Sequence, residues 1–213
     1  NCAVMSIGYI TLAENSVISN CYFYGPRYYP SINVSSTSKK ALISCNYFKN
    51  GKDTYAPAID LSSVSSYGCN IQVQNNEFDS MAVFFKMSCF YYATDTININ
   101  NNDFLNYTTK AVYYNGCFSG TGTWHWVDFT GNYWNTTDTT LIKNAIFDYR
   151  NDAKVPFLVD FSSYKSNRVS YCWPPSPADA PKKQNTSGMH LSPSGSPVLF
   201  SPNPARNSIT IAA

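Results

Sequence analysis

One four-residue pattern recurs five times and constrains the fold more than any other feature: Asn20-Cys21-Tyr22-Phe23, Cys45-Asn46-Tyr47-Phe48, Asn75-Asn76-Glu77-Phe78, Asn101-Asn102-Asp103-Phe104 and Gly131-Asn132-Tyr133-Trp134. The closing aromatics are 25, 30, 26 and 30 residues apart. Five residues before each stands Ile18, Ile43, Val73, Ile99 or Phe129, and seven before it Ser16, Ala41, Ile71, Ile97 or Val127, so both positions are mainly apolar. Between them fall Val17, Leu42, Gln72, Asn98 and Asp128. This alternation has a period of two, which is that of a strand. A second alternating pair follows each motif, at Ile32 and Val34, Ile59 and Leu61, Val83 and Phe85, Val112 and Tyr114.

Such a unit has two or three short strands and no helix, so it cannot enclose a core alone, but it can stack on copies of itself. The predicted fold is all-β, a right-handed parallel β-helix of about five to six coils. In the stack Cys21, Asn46, Asn76, Asn102 and Asn132 lie above one another about 4.8 Å apart, where an asparagine ladder satisfies its amides from coil to coil. The Ile18 column and the Phe23 column both point inward. An antiparallel sandwich would leave the aligned ladder unexplained. Asp138 is placed to N-cap a short helix with Leu141, Ile142, Ala145 and Ile146 on one face, and Val155 to Phe161 reads as a last strand. Together they cover a final coil whose edge would otherwise recruit other strands.

On these residues the chain resembles the right-handed parallel β-helix repeat proteins, from residue 1 to about 165. The segment from Gly131 to Trp134, with its following helix and the turn at Asp148, Asn151 and Asp152, resembles the closing module of secreted bacterial β-helix proteins, although Asn135 stands where that family has glycine. Beyond it eight of the twelve prolines fall in 166–213. Residues 166–199 therefore read as a Pro/Ser-rich linker that adds little to the core. Residues 200–213, with Pro202-Asn203-Pro204 and then Ile209-Thr210-Ile211, resemble the start of the C-terminal sorting domain of type IX secretion cargo in Bacteroidetes. That resemblance implies export to the cell surface or medium and contact with the type IX machinery. Because the chain opens at Asn1, its β-helix is expected to be the C-terminal part of a longer one.

With 15 Lys plus Arg against 13 Asp plus Glu, the chain offers no strong basic surface, so nucleic acid is not an expected partner. No apolar run approaches the roughly 18 residues of a membrane span, and none is expected. Seven cysteines lack Cys-x-x-Cys spacing, which speaks against a zinc site. Cys21, Cys45, Cys69, Cys89 and Cys117 recur once per coil and read as buried thiols filling small positions. A Cys89–Cys117 disulfide is the alternative in an extracellular setting.

The position before each aromatic should point outward, setting Tyr22, Tyr47, Glu77, Asp103 and Tyr133 along one edge. Glu77 and Asp103, with Asp79 nearby, read as solvated carboxylates; calcium ligation or a retaining-glycosidase pair about 5 Å apart are the functional alternatives. No other cofactor is expected. Flat Tyr and Trp faces suit sugar stacking. Tyr22, Tyr47, Phe84, Tyr113, Trp124 and Trp126 are the carbohydrate candidates, Phe84 and Tyr113 coming from an outward row with Asn33 and Asp60; Tyr28, Tyr29, Tyr91 and Tyr92 are loop aromatics of the same kind. His125 has no triad partners, and no motif selects Lys52, Asp53, Lys86 or Lys110 for lyase chemistry. Asp79-Ser80-Met81, Asp95-Thr96-Ile97 and Asp138-Thr139-Thr140 resemble the Bacteroidetes O-glycosylation pattern, making Ser80, Thr96 and Thr139 candidate acceptors. Many aromatics and few charges favour an adhesin, glycan-binding or stalk module for extracellular glycans. The alternative is a polysaccharide lyase or glycoside hydrolase.

Overall fold

The computed structural model describes residues 10–26, 28–35, 38–64, 69–88, 96–114, 116, 125–169 and 172, and the backbone alone at 2–5. The chain forms an all-β parallel solenoid and visits three parallel sheets in turn. The first sheet comprises β1 (Cys2–Met5), β4 (Cys21–Tyr24), β7 (Tyr47–Lys49), β10 (Glu77–Asp79) and β13 (Asp103–Phe104). The second comprises β2 (Ile10–Leu12), β5 (Ile32–Val34), β8 (Ile59–Asp60), β11 (Met81–Met87) and β14 (Tyr107–Tyr114). The third comprises β3 (Ser16–Ser19), β6 (Lys40–Ser44), β9 (Asn70–Gln74), β12 (Thr96–Asn100), β15 (His125–Asp128) and β16 (Phe157–Asp160).

The path from β1 to β13 makes about four regular turns, fewer than the five to six expected. The last circuit is not made of strands on every side. Its place in the first sheet is a single bridge from Asp103 to Tyr133, and in the second a bridge from Val112 to Ile146 at the end of α1 (Thr139–Ala145).

Period-two alternation gives the expected registers. Ile18 pairs with Ile43, Ile43 with Val73 and Val73 with Ile99, all fully buried except Ile18, which is partly buried. In the first sheet Phe23, Phe48, Phe78, Phe104 and Trp134 fill the interior. Phe23, Phe48 and Phe78 are nearly parallel, with centroids 4.8 Å apart at each step, a spacing set by the strand separation. At Phe104 the stack tilts, and Trp134 meets it edge-on at 4.7 Å.

Beside this column runs the ladder. The side-chain oxygens of Asn46, Asn76, Asn102 and Asn132 accept from the backbone N–H of Cys21, Asn46, Asn76 and Asn102 at 3.0, 2.9, 2.9 and 2.8 Å. Their amide groups donate to carbonyls of the preceding coil, Ile18, Ile43 and Val73 among them. All four asparagines are fully buried, so each bond satisfies a backbone group that water cannot reach. The residue before each ladder position takes a positive φ at this tight corner: Asn20, Cys45, Asn75, Asn101 and Gly131, at 54° to 70°. Asn and Gly tolerate that conformation well. Cys45 is the exception in residue type, and it is also the corner that carries a crosslink.

The cap forms as expected, with one change of face. Asp138 accepts from Thr140 N–H at 2.8 Å, and Ile142, Ala145 and Ile146 pack inward, but Leu141 faces solvent. In so short a helix the inward positions are set by docking on β14, where Phe147 N–H donates to the Val112 carbonyl at 3.0 Å. Asp148, fully buried, holds the turn beyond it through Arg150 and the Val159 N–H. Among the described residues no helix is long and apolar enough to cross a membrane.

Candidate functional site

The outward side chains of the first sheet form the most elaborate polar cluster in the described structure. Tyr22, Tyr47, Glu77, Asp103 and Tyr133 align as expected from the repeat. Two residues further along, Tyr24, Lys49 and Asp79 form a second row. The carboxylates are not solvated, which corrects the simplest expectation: Asp103 is fully buried, and Glu77 and Tyr47 are buried nearly as well.

They are covered by a segment that composition alone assigns to a linker. Lys165 bridges to Tyr133 and its N–H donates to the Asn132 carbonyl at 2.9 Å, adding a short length of backbone to the first sheet. Arg168 then places its guanidinium over the two acids, with Nε 3.2 Å from Asp103 Oδ2 and one terminal nitrogen on Glu77 Oε2. Val169 N–H donates to Asp103 Oδ1 at 2.7 Å. Cys172 is joined by a disulfide to Cys45, so that cysteine is a crosslink rather than the expected buried thiol. Residues 165–169 and 172 thus make a strap across the first sheet. Cys21 is also disulfide-bonded, against the same expectation; Cys69 is a buried free thiol as expected, and Cys89 and Cys117 lie outside the described residues.

The two rows differ electrostatically. Burial pushes the Glu77 carboxyl from its ordinary 4.5 up to about 7, an effect that the attraction of Arg168 only partly offsets. Burial also acts on Asp79, but hydrogen bonds from Asn106 and Ser80, at 2.8 and 2.9 Å, and from Lys49 outweigh it and hold the group below its usual range. Lys49 Nζ stands 3.2 Å from Asp79 Oδ2 and is held protonated more firmly than usual despite its burial. Tyr47 is pushed up to about 12, chiefly by burial, and its hydroxyl donates to Asp79 at 3.4 Å. At neutral pH this face therefore joins a carboxyl near its midpoint to an ionised one on the same strand. Among the described residues no group of three or more His, Cys, Asp or Glu is placed to hold a metal ion.

The other expected residues are scattered. Phe84 is buried against Phe78, Phe104 and Tyr107 rather than exposed. The outward row of the second sheet runs Asn33, Asp60, Lys86 and Tyr113, with Lys86 paired to Asp60 at 3.5 Å. The chain shifts register between Met81 and Val83, and Phe84 joins the core cluster with the Tyr107 ring edge-on to it. Tyr113 is exposed, as are Tyr28 and Tyr29 in their loop. Lys110 donates to the Asn144 carbonyl, and Asp53 accepts from Tyr55 N–H. His125 lies in β15 opposite Phe157. Ser80 is half-buried on Asp79, while Thr96 and Thr139 are exposed. Trp124, Tyr91 and Tyr92 lie outside the described residues.

The third sheet presents a second, open surface. Lys40, Asn70 and Thr96 form one outward row, which the pairing of Asn98 with Asp128 extends to Trp126, 63% exposed. Alongside run Leu42, Gln72, Asn98, Asp128 and Asp160. A shallow depression of about 330 Å³ opens at one end, lined by Asn15, Val17, Lys40, Asn70 and Gln72 among others.

Repeat spacing finds the outward row from Tyr22 to Tyr133, but Lys49, Arg168 and Cys172 escape it. Lys49 was within reach, since it stands two residues past Tyr47 in the same register as Asp79. Arg168 lies 91 residues from Glu77 and no local pattern marks it. No protein-family model, curated protein or solved structure matches this chain.

Proposed function

We propose that this chain is an exported solenoid module that binds extracellular glycan along the open face of the third sheet. One observation carries the reading: Lys40, Asn70, Thr96 and Trp126 form an uncovered row beside Gln72, Asn98 and Asp128. Amide and hydroxyl groups repeat there at the strand spacing of about 4.8 Å, and the row ends on an exposed indole. Such a surface favours many weak contacts to a neutral or mildly acidic polysaccharide, strengthened when several copies are displayed. Export is supported by the Cys45–Cys172 disulfide, a bond that persists in oxidising compartments, and by the likeness of residues 200–213 to a type IX sorting domain.

A polysaccharide-cleaving enzyme is the second reading. It draws on Glu77 and Asp79, two carboxyl groups on one strand whose environments push them apart, as an acid and a base require. Glycan-array binding by the native chain and by Trp126→Ala, with assays for new reducing ends and unsaturated uronates, separates the two. Binding that Trp126→Ala abolishes, without product release, is expected. Turnover lost in Glu77→Gln would replace the binding reading with the enzymatic one.

A further inference from the structure

The strap does more than close the stack. It shows which ligand the outer face of the first sheet accepts, because it is itself seated there as one. Its backbone joins the sheet at Lys165, its guanidinium spans Glu77 and Asp103, and its Val169 N–H takes the remaining Asp103 oxygen. Recognition of this kind combines strand-like backbone pairing with a charge-assisted fork on carboxylates. The chain reaches the site from 65 and 91 residues away, so these contacts are those of a peptide on a receptor surface rather than of a local turn. Arg168 remains 42% exposed, and Lys165, Ser166 and Asn167 face solvent, so the strap rests on the sheet without entering the core. Its far end is tied by the Cys45–Cys172 disulfide, and Cys45 sits at the corner where the other coils carry Asn or Gly.

We propose that the strap is a disulfide-locked internal ligand, and that reduction of Cys45–Cys172 frees the Glu77–Asp103 strip for an extended, arginine-bearing peptide supplied by a partner. The step is a thiol–disulfide exchange. Two thiols of a small dithiol reductant are oxidised to its disulfide, the Cys45–Cys172 S–S bond breaks, and each cysteine sulfur gains one proton and one electron. While the lock holds, the tethered arginine competes at a high effective concentration and excludes ligands from outside. Once it opens, the competitor is held only from its Lys165 side and yields the strip more readily. This function is independent of glycan binding on the third sheet.

The test uses the full chain and a fluorescent, end-blocked peptide with the sequence of residues 165–169. The native oxidised chain should give no saturable rise in anisotropy, and the same chain with a dithiol reductant should give one. The Cys172→Ser, Arg168→Gln double variant should bind without reductant, with Cys45 left as a thiol and the disulfide at Cys21 intact. Adding Asp103→Asn, or replacing the arginine of the peptide with glutamine, should weaken binding about tenfold or more, the loss expected for a charge-assisted hydrogen bond. If Asp103→Asn does not fold by circular dichroism, Glu77→Gln supplies the same comparison with the milder loss of one contact. A folded double variant that fails to bind the peptide would overturn the proposal. So would equal binding by the native oxidised chain, or binding indifferent to both Asp103→Asn and Glu77→Gln.

Discussion

The outer faces of the first and third sheets arise from the same alternation, yet one is covered and the other open. In the first sheet the outward position holds Tyr47, Glu77 and Asp103, all buried, the two acids under the strap; in the third it holds Gln72, Asn98, Thr96 and Trp126, all exposed but the half-buried Asn98. Strand periodicity decides which way a side chain points, not whether anything lies over it. Buried carboxylates need cationic or hydrogen-bonding partners, and here Arg168 and the Val169 N–H supply them. Amides and hydroxyls on the third sheet need no such cover, because water satisfies them.

The two faces share an interior, and breaking that interior should give the largest effects. Phe78→Ala removes a fully buried ring that touches Phe48, Phe84, Phe85 and Phe104, and should destabilise the chain by about 3 to 5 kcal/mol in denaturant titration. Asn76→Ala leaves the Asn46 N–H and the Ile43 carbonyl without partners and should cost about 2 to 4 kcal/mol. Neither variant distinguishes the faces. Both should loosen the strap and the third sheet together.

Arg168→Gln acts on the first face alone. It should cost about 1 to 2 kcal/mol, a value held down by the exposure of the guanidinium. Its sharper signature is in pH. Because the folded-state pKa of Glu77 lies above 4.5, its contribution to stability is full below pH 4.5 and is lost as pH rises through about 7. Removing the cation raises the Glu77 midpoint further, so the variant should lose stability across a window that extends above pH 7. Carbon-13 NMR of labelled glutamate reads that midpoint directly. The smallest effect belongs to the open face: Trp126→Ala should change stability by less than about 0.5 kcal/mol while abolishing retention on glycan.

What could be read beforehand follows the same division. The ladder from Asn46 to Asn132 and the stack from Phe23 to Trp134 were legible because stacking makes each inner position meet its own repeat, so five copies reinforce one register. Phe84 departs from simple alternation because β11 and β14 are out of step between Met81 and Val83, and its ring packs on the interior rings Phe78 and Phe104 as well as on Tyr107. Leu141 was misplaced because a helix this short takes its inward face from the strand it docks on. The strap was illegible for another reason. Its partners are fixed by tertiary contact across more than sixty residues, while its own segment has the composition of a linker.

The contrast between the two faces can be measured by hydroxyl-radical footprinting read by mass spectrometry, each residue being compared with its own rate in the unfolded chain. In the native oxidised protein Trp126 should oxidise within a few-fold of its unfolded rate, whereas Tyr47 should be strongly protected. In the Cys172→Ser, Arg168→Gln variant Tyr47 should lose much of that protection, with Trp126 unchanged. Equal protection of both residues in the native chain, or protection of Tyr47 that survives release of the strap, would contradict the assignment of one covered and one open face.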